Sequence, residues 1–278
     1  FIAVKDQPVG PQTVDVVSTR VTKGDPKSAG NGDVYWETRV ETAVPSVSAA
    51  PINVTVEGLC FDPVEAVQAS GCGKVGYAQS GTSADTLKVF DGTPTPRREG
   101  VYLKFPFNTE QKTYPFWDST AEKAFPIDFK GTDTIDGLAV YKFEQTIPDT
   151  KVDERDLPAE IFGGTQGTNV TADVMYKNKR TVWIEPETGA VIRGQEEQDR
   201  RFVYQGQAKP LLVGTIGYTP ETVAANVKIQ KDNSSGLHLL RVDPQALHVD
   251  RRERVEQVVE QRRRGGGARA VEPQRRGA

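Results

Sequence analysis

Two prolines set the strongest limit on how this chain folds. Pro106 and Pro115 lie in Arg97–Asp118, RREGVYLKFPFNTEQKTYPFWD. Each lacks an N–H donor and fixes its own φ, so neither fits inside a helix or a central strand. Between and around them stand Tyr102, Phe105, Phe107, Tyr114, Phe116 and Trp117, with Lys104, Glu110 and Lys112 separating the rings. Aromatic side chains this dense bury much area and favour edge-to-face contacts. Two readings follow: a core wedge under a long loop, which the physics favours, or an aromatic-lined groove that takes a sugar or lipid.

The rest of the chain reads as strands and turns. Val14–Thr22, Val34–Ala43 and Asn53–Phe61 are β-branched, partly alternating runs. In the second, Val34, Trp36, Thr38 and Val40 share a face by the two-residue period. Residues 78–98 are Ser-, Thr-, Gly- and Pro-rich and predict an irregular connection, apart from a short LKVF piece at 87–90. Ser119–Ala124 predicts one helical turn. Asp136-Gly137 between β-forming flanks predicts a type I′ hairpin, because both turn positions need φ > 0. A second hairpin is predicted around Pro186 and Gly189, with Val182 and Ile184 facing Val191 or its neighbours. A further strand is expected at Arg201–Gly206, and a short helix over 219–230, with Thr219 as N-cap and Pro220 at the first helical position. The fold class is therefore mainly β, an antiparallel meander of hairpins with few short helices.

Past Lys231 the composition changes: no Lys, Phe, Tyr or Trp appears again, and residues 251–278 carry nine Arg. The expected organisation is a stub at 1–13, a β-rich domain at 14–230, and an atypical Arg/Gly-rich disordered tail at 231–278. Within that tail 249–264 has the composition of a charged helix. Its Arg is mixed with Glu253, Glu256, Glu260 and Glu272 and has no aromatic partner for stacking bases, so no nucleic-acid partner is expected.

Both histidines, His238 and His248, fall in the tail. That removes Ser-His-Asp, Cys-His and His-ligated metal chemistry from the β-rich part. No phosphate-binding glycine motif is present. The carboxylate pairs Glu185/Glu187 and Glu196/Glu197 read as solvated strand faces. Asp133–Gly137 lacks the calcium-loop ligand pattern and reads as a turn. No catalytic residue, metal or cofactor is expected. Asn53, Asn169 and Asn233 begin sequons that matter only in a eukaryotic secretory setting. Cys60 and Cys72 read as a local disulfide in an exported chain, the alternative being two buried thiols. No apolar run approaches the ~20 residues of a membrane span.

Three blocks, GVYLKFPFNTEQKTYPFWD at 100–118, AFPIDFKGTDTIDGLAVYKFEQTIP at 124–148 and YKNKRTVWIEPETGAVIRGQEEQ at 176–198, resemble the actinobacterial PorA family of membrane proteins. The similarity covers about 14–230 by order and spacing. It implies a β-rich domain on the outer face of the cytoplasmic membrane, between an N-terminal and a C-terminal membrane helix. Phe1–Val4 then reads as the outer end of the first helix, and the Arg-rich tail as a shifted reading frame that replaces the second. Family members often carry cysteines near Cys60 and Cys72, which suits an exported domain. The resemblance further implies a non-enzymatic envelope accessory protein in lipomannan and lipoarabinomannan maturation. Its partners would be the cytoplasmic membrane, through helices absent from this chain, together with a glycolipid or envelope glycosyltransferases. Tyr102, Phe105, Phe107, Tyr114, Phe116 and Trp117 are the candidate ligand-binding residues. A porin or channel is the alternative, and a carboxylate-dependent glycan enzyme the third reading.

Overall fold

A computed structural model describes residues 13–48, 50–72, 77–81 and 98–242. The chain divides into two compact units, Phe1–Gln230 and Lys231–Ala278. The first is built from two antiparallel sheets.

Strands β1 (Val17–Gly24), β2 (Val34–Ala43), β3 (Asn53–Phe61) and β4 (Tyr77–Gly81) form a four-stranded meander in chain order. The pleat puts Val34, Trp36, Thr38 and Val40 on one face, yet the most buried residue of β2 is Tyr35 on the other. Trp36 meets Phe61 edge-on at 4.9 Å between centroids. Beyond β3 the chain turns at Asp62, whose Oδ1 accepts the amides of Val64 and Glu65. That turn carries it back to the disulfide between Cys60 and Cys72. Residues 78–81, expected to be irregular, instead belong to β4 and pair with β3, while 82–97, including the 87–90 piece, lie outside the described residues.

The second sheet has the order β10-β9-β8-β7-β6-β5, with every neighbouring pair antiparallel. Its strands are β5 (Tyr114–Asp118), β6 (Lys123–Ile135), β7 (Leu138–Pro158), β8 (Asn169–Ile184), β9 (Val191–Tyr204) and β10 (Gln207–Gly217). Pro115 sits in β5, an edge strand, where a missing N–H is tolerated. Asp136 and Gly137 make the β6–β7 turn with φ of 48° and 76°, the left-handed pair that a two-residue hairpin needs. In the second hairpin Ile184 is paired with Val191, and Val182 with Gly194.

Three local expectations need correction. Ser119–Glu122 is the β5–β6 turn rather than a helical turn: Asp118 Oδ1 accepts the amides of Thr120 and Ala121, holding the chain in a reversal. Arg201–Tyr204 is the end of the long β9 rather than a separate strand. Gln205 and Gly206 then form a second two-residue turn with φ of 47° and 79°. It leads into β10, which the sequence reading missed because Gly and Pro interrupt its apolar pattern. Helix α1 (Pro220–Val242) starts where expected, with Thr219 Oγ1 accepting the Thr222 amide, but it runs past Gln230. Described residues 231–242 of the second unit are helical; 243–278, including 249–264, lie outside the described residues.

Two apolar clusters lie against the second sheet at the end near the β6–β7 turn. Phe105, Tyr114, Phe116, Ile127, Phe143, Val182 and Ile184 form the first. Leu138, Val140, Trp183 and Ile192 form the second, beneath Val223 and Val227 of α1. Phe162, Ala172, Val174 and Phe202 make a third at the other end.

Candidate functional site

The aromatic segment is core. Phe105 is fully buried. Its ring lies 4.8 Å from Phe143, 5.4 Å from Tyr114 and 5.8 Å from Phe116. Each such pair contributes ~0.5–1.5 kcal/mol beyond its area burial. The backbone is pinned as well: Phe105 N donates to Gly189 O at 2.7 Å, Asn108 N to Glu187 O, Thr109 N to Pro186 O, and Phe107 N to Val64 O. Trp117 is buried too, and its amide donates to Val101 O. Of the six candidate ligand-binding residues, only Tyr102 and Phe107 keep partial exposure. Tyr102 donates to Glu57 Oε2 at 2.5 Å and accepts from Ser119 Oγ at 2.7 Å; burial and the Glu57 charge push its phenol up. Phe107 lies under Lys104 Nζ at 3.7 Å, and that ammonium donates to Pro63 O. Burial pulls Lys104 down to about 8.

Between the first and third apolar clusters the inner face of the second sheet is polar. Gln145, Arg180 and Glu196 stand directly opposite one another across β7, β8 and β9. Arg180 is the hub. Its NH1 donates to Gln145 Oε1 at 2.6 Å, its Nε to Glu196 Oε1 at 2.8 Å, and its NH2 to Asp118 Oδ2 at 2.9 Å. The guanidinium also lies 5.3 Å from the Phe116 ring centroid. Asp118 is 1% exposed, and Tyr176 Oη donates to its Oδ2 at 3.2 Å. Glu196 Oε2 accepts from Asn178 and Gln198. Gln145 Nε2 donates to the carbonyls of Phe116 and Phe125, which ties the row to the edge hairpin. Arg200 stacks on Tyr176 and donates to Thr120.

The electrostatics follow. Desolvation works against the Glu196 carboxylate, but Arg180 and three side-chain hydrogen bonds outweigh it and hold the group below its ordinary value. Glu196 and Asp118 in turn hold Arg180 in its charged form against burial, with its value raised. Asn178 Oδ1 and Arg200 Nε are buried without a protein partner. The row joins β5, β7, β8 and β9 through the three hydrogen bonds of the Arg180 guanidinium.

The nominated carboxylate pairs do not converge. Glu185 organises the β8–β9 turn: Oε1 accepts the Glu187 amide, and Oε2 accepts the amide and hydroxyl of Thr188. Glu196 points into the polar row, whereas Glu197, one residue on, is exposed on the opposite face. Among the described residues, no group of three or more His, Cys, Asp or Glu side chains is placed to hold a metal ion. No described helix is long and apolar enough to cross a membrane.

Sequence reasoning missed the row. Its signal is the same-face run Tyr176, Asn178, Arg180 on β8 and Glu196, Gln198, Arg200 on β9. The alternate positions Lys177, Lys179, Glu197 and Asp199 are polar too, so the pattern does not say which face turns inward.

A family profile described as Porin PorA matches residues 2–249, and the chain belongs to that family. A Porin PorA of Corynebacterium amycolatum is 35% identical over 129 residues, covering 37% of this chain and 33% of the relative. One of Corynebacterium resistens is 27% identical over 147 residues, covering 36% of each. The chain thus spans about a third of the length of these curated relatives.

Proposed function

We propose that this member of the Porin PorA family is the β-rich, water-exposed part of a pore-forming protein of the cell envelope, with its six-stranded sheet outside the hydrocarbon. The pore rests on the name its relatives carry. The placement rests on one observation, the outer face of that sheet. Lys177, Lys179 and Glu197 are exposed there, and Lys177 pairs with Asp199, which also holds Arg201. Lys151 on β7 pairs with Asp173 on the same face. A barrel wall presents apolar side chains to lipid, and Arg or Lys at the midplane costs ~2–4 kcal/mol each. A sheet with this many charges along the central stretch of its outer face, beyond the cluster that α1 covers, is stable in water. The lipid-crossing part of the pore is then made outside this sheet, and the sheet is a scaffold stiffened by the Asp118–Arg180–Glu196 row.

The accessory role in lipoglycan maturation draws no support from the six aromatic residues, since Phe105, Tyr114, Phe116 and Trp117 are core. Planar-bilayer recording of the full-length gene product separates the two readings. Discrete conductance steps are expected. A bilayer that stays silent, together with saturable binding of a lipid-linked mannan, would favour the accessory role instead.

A further inference from the structure

We propose that Asn31 is a site of spontaneous deamidation, and that its conversion opens the contact holding Gly71 beside the disulfide. Asn31 and Gly32 form a tight reversal between β1 and β2, where Gly30 and Asp33 pair as an isolated antiparallel bridge. Their φ values are 52° and 88°, the left-handed pair of a two-residue turn. Both residues are exposed.

The reaction needs a following residue whose backbone nitrogen can reach the asparagine side chain. Gly32 N gives up its proton to solvent and bonds to Asn31 Cγ. The Cγ–Nδ2 bond breaks, and Nδ2 takes up a proton and leaves as ammonia. Water then opens the cyclic imide at either carbonyl, giving aspartate or isoaspartate; nothing is oxidised or reduced. Gly32 meets the need. Its amide donates to no acceptor among the described residues, whereas Gly30 N and Asp33 N donate to each other's carbonyls. A Cβ on Gly32 would meet nothing within 4 Å. The peptide therefore has room to turn, and glycine adds no side chain to shield its nitrogen. None of the other asparagines precedes a glycine. Val54, Val170 and Lys179, which follow Asn53, Asn169 and Asn178, lie in paired strands. Thr109 N, after Asn108, is bonded to Pro186 O, and Val227 and Ser234 lie in α1.

The same turn clasps Gly71. Asn31 Nδ2 donates to Gly71 O at 3.3 Å, and Asp33 Oδ2 accepts the Gly71 amide at 2.8 Å. The backbones are close, since a Cβ on Gly30 would stand 2.6 Å from Gly71 O. The next residue is Cys72, bonded to Cys60. A carboxylate at position 31 accepts but cannot donate. It loses the bond to Gly71 O and repels both that oxygen and the Asp33 carboxylate. Isoaspartate also adds a backbone carbon to a reversal built for two residues.

Peptide mapping of the folded, disulfide-intact chain of 278 residues, incubated at mildly alkaline pH, tests the site. Among the asparagine-containing peptides, the tryptic peptide 28–39 should lose its intact form first. Aspartate and isoaspartate forms should replace it, and an isoaspartate-specific methyltransferase should label that peptide. Asn31→Gln keeps the amide but closes an imide ring far less readily, so its peptide should take no label. Hydrogen exchange followed by NMR reads the consequence: the Gly71 amide should lose protection in Asn31→Asp. An Asn31 that stays intact in the folded chain, or another asparagine that converts first, overturns the site. A Gly71 amide as protected in Asn31→Asp as in the native chain overturns the clasp.

Discussion

Gly189 and Phe105 touch through their backbones. Phe105 N donates to Gly189 O at 2.7 Å, and a Cβ on Gly189 would lie 1.9 Å from Phe105 O. The β8–β9 turn and the aromatic segment therefore fit together only through a residue without a side chain, at φ +72°. Gly189→Ala should cost well above the ~1–2 kcal/mol of a left-handed alanine, because Phe105 must also leave its site. Gly163 has a similar φ, +77°, with nothing near its Cβ position. Gly163→Ala should cost the backbone term alone. Urea denaturation of the two variants compares them directly, and equal losses would mean that the Gly189 contact does not matter.

Arg180 satisfies two carboxylates and an amide at once. Removing one partner of a buried ionic pair costs ~3–5 kcal/mol, because the other charge is left unpaired. Arg180→Met should fall in that range. Adding Asp118→Asn and Glu196→Gln should return part of the loss. Chemical denaturation of the single and triple variants would show it; a triple variant less stable than Arg180→Met contradicts the ionic account.

Glu196 is held below its ordinary value in the folded protein. The unfolded chain therefore takes up a proton first as pH falls. The stability Glu196 contributes is fully present above its unfolded value, ~4.3, and is lost as pH drops through the lower folded value. Glu196→Gln should flatten the fall in melting temperature below about pH 4.5. An unchanged acid slope would mean that other carboxylates carry it.

Lys104 has the opposite sign. Burial lowers it to about 8, whereas the unfolded lysine titrates near ~10.4. Between those values the unfolded state binds the extra proton, so stability should rise with pH. The window to use is roughly pH 8 to 9.5, before the unfolded tyrosines ionise near ~10. Lys104→Met should abolish the rise in melting temperature across that window.

Where the sequence was legible, local chemistry forced the answer. Asp136-Gly137 specified a turn because few residue pairs accept two left-handed positions, and β2 and β3 occur at the bounds their β-branched runs predict. The prolines and rings of 97–118 announced a core wedge, which the burial of Phe105 and Tyr114 bears out. The polar row was not legible, because β8 and β9 are polar on both faces in their central stretch. Which face of β8 meets Asp118 depends on the Ser119–Glu122 turn, and that turn reads as helix from composition alone. β10 was hidden for a related reason: its apolar run is broken by Pro210 and Gly214, and only its pairing with β9 makes it a strand.

In the proposed placement the charged outer face of the six-stranded sheet lies in water beside the membrane. A solvent-sensitive fluorophore on Lys179→Cys or Glu197→Cys, in the full-length protein reconstituted into vesicles containing brominated lipids, reports this directly. Water-like emission is expected at both positions, with no quenching by the lipid chains. Strong quenching with blue-shifted emission at either position would place the sheet within the bilayer and contradict it.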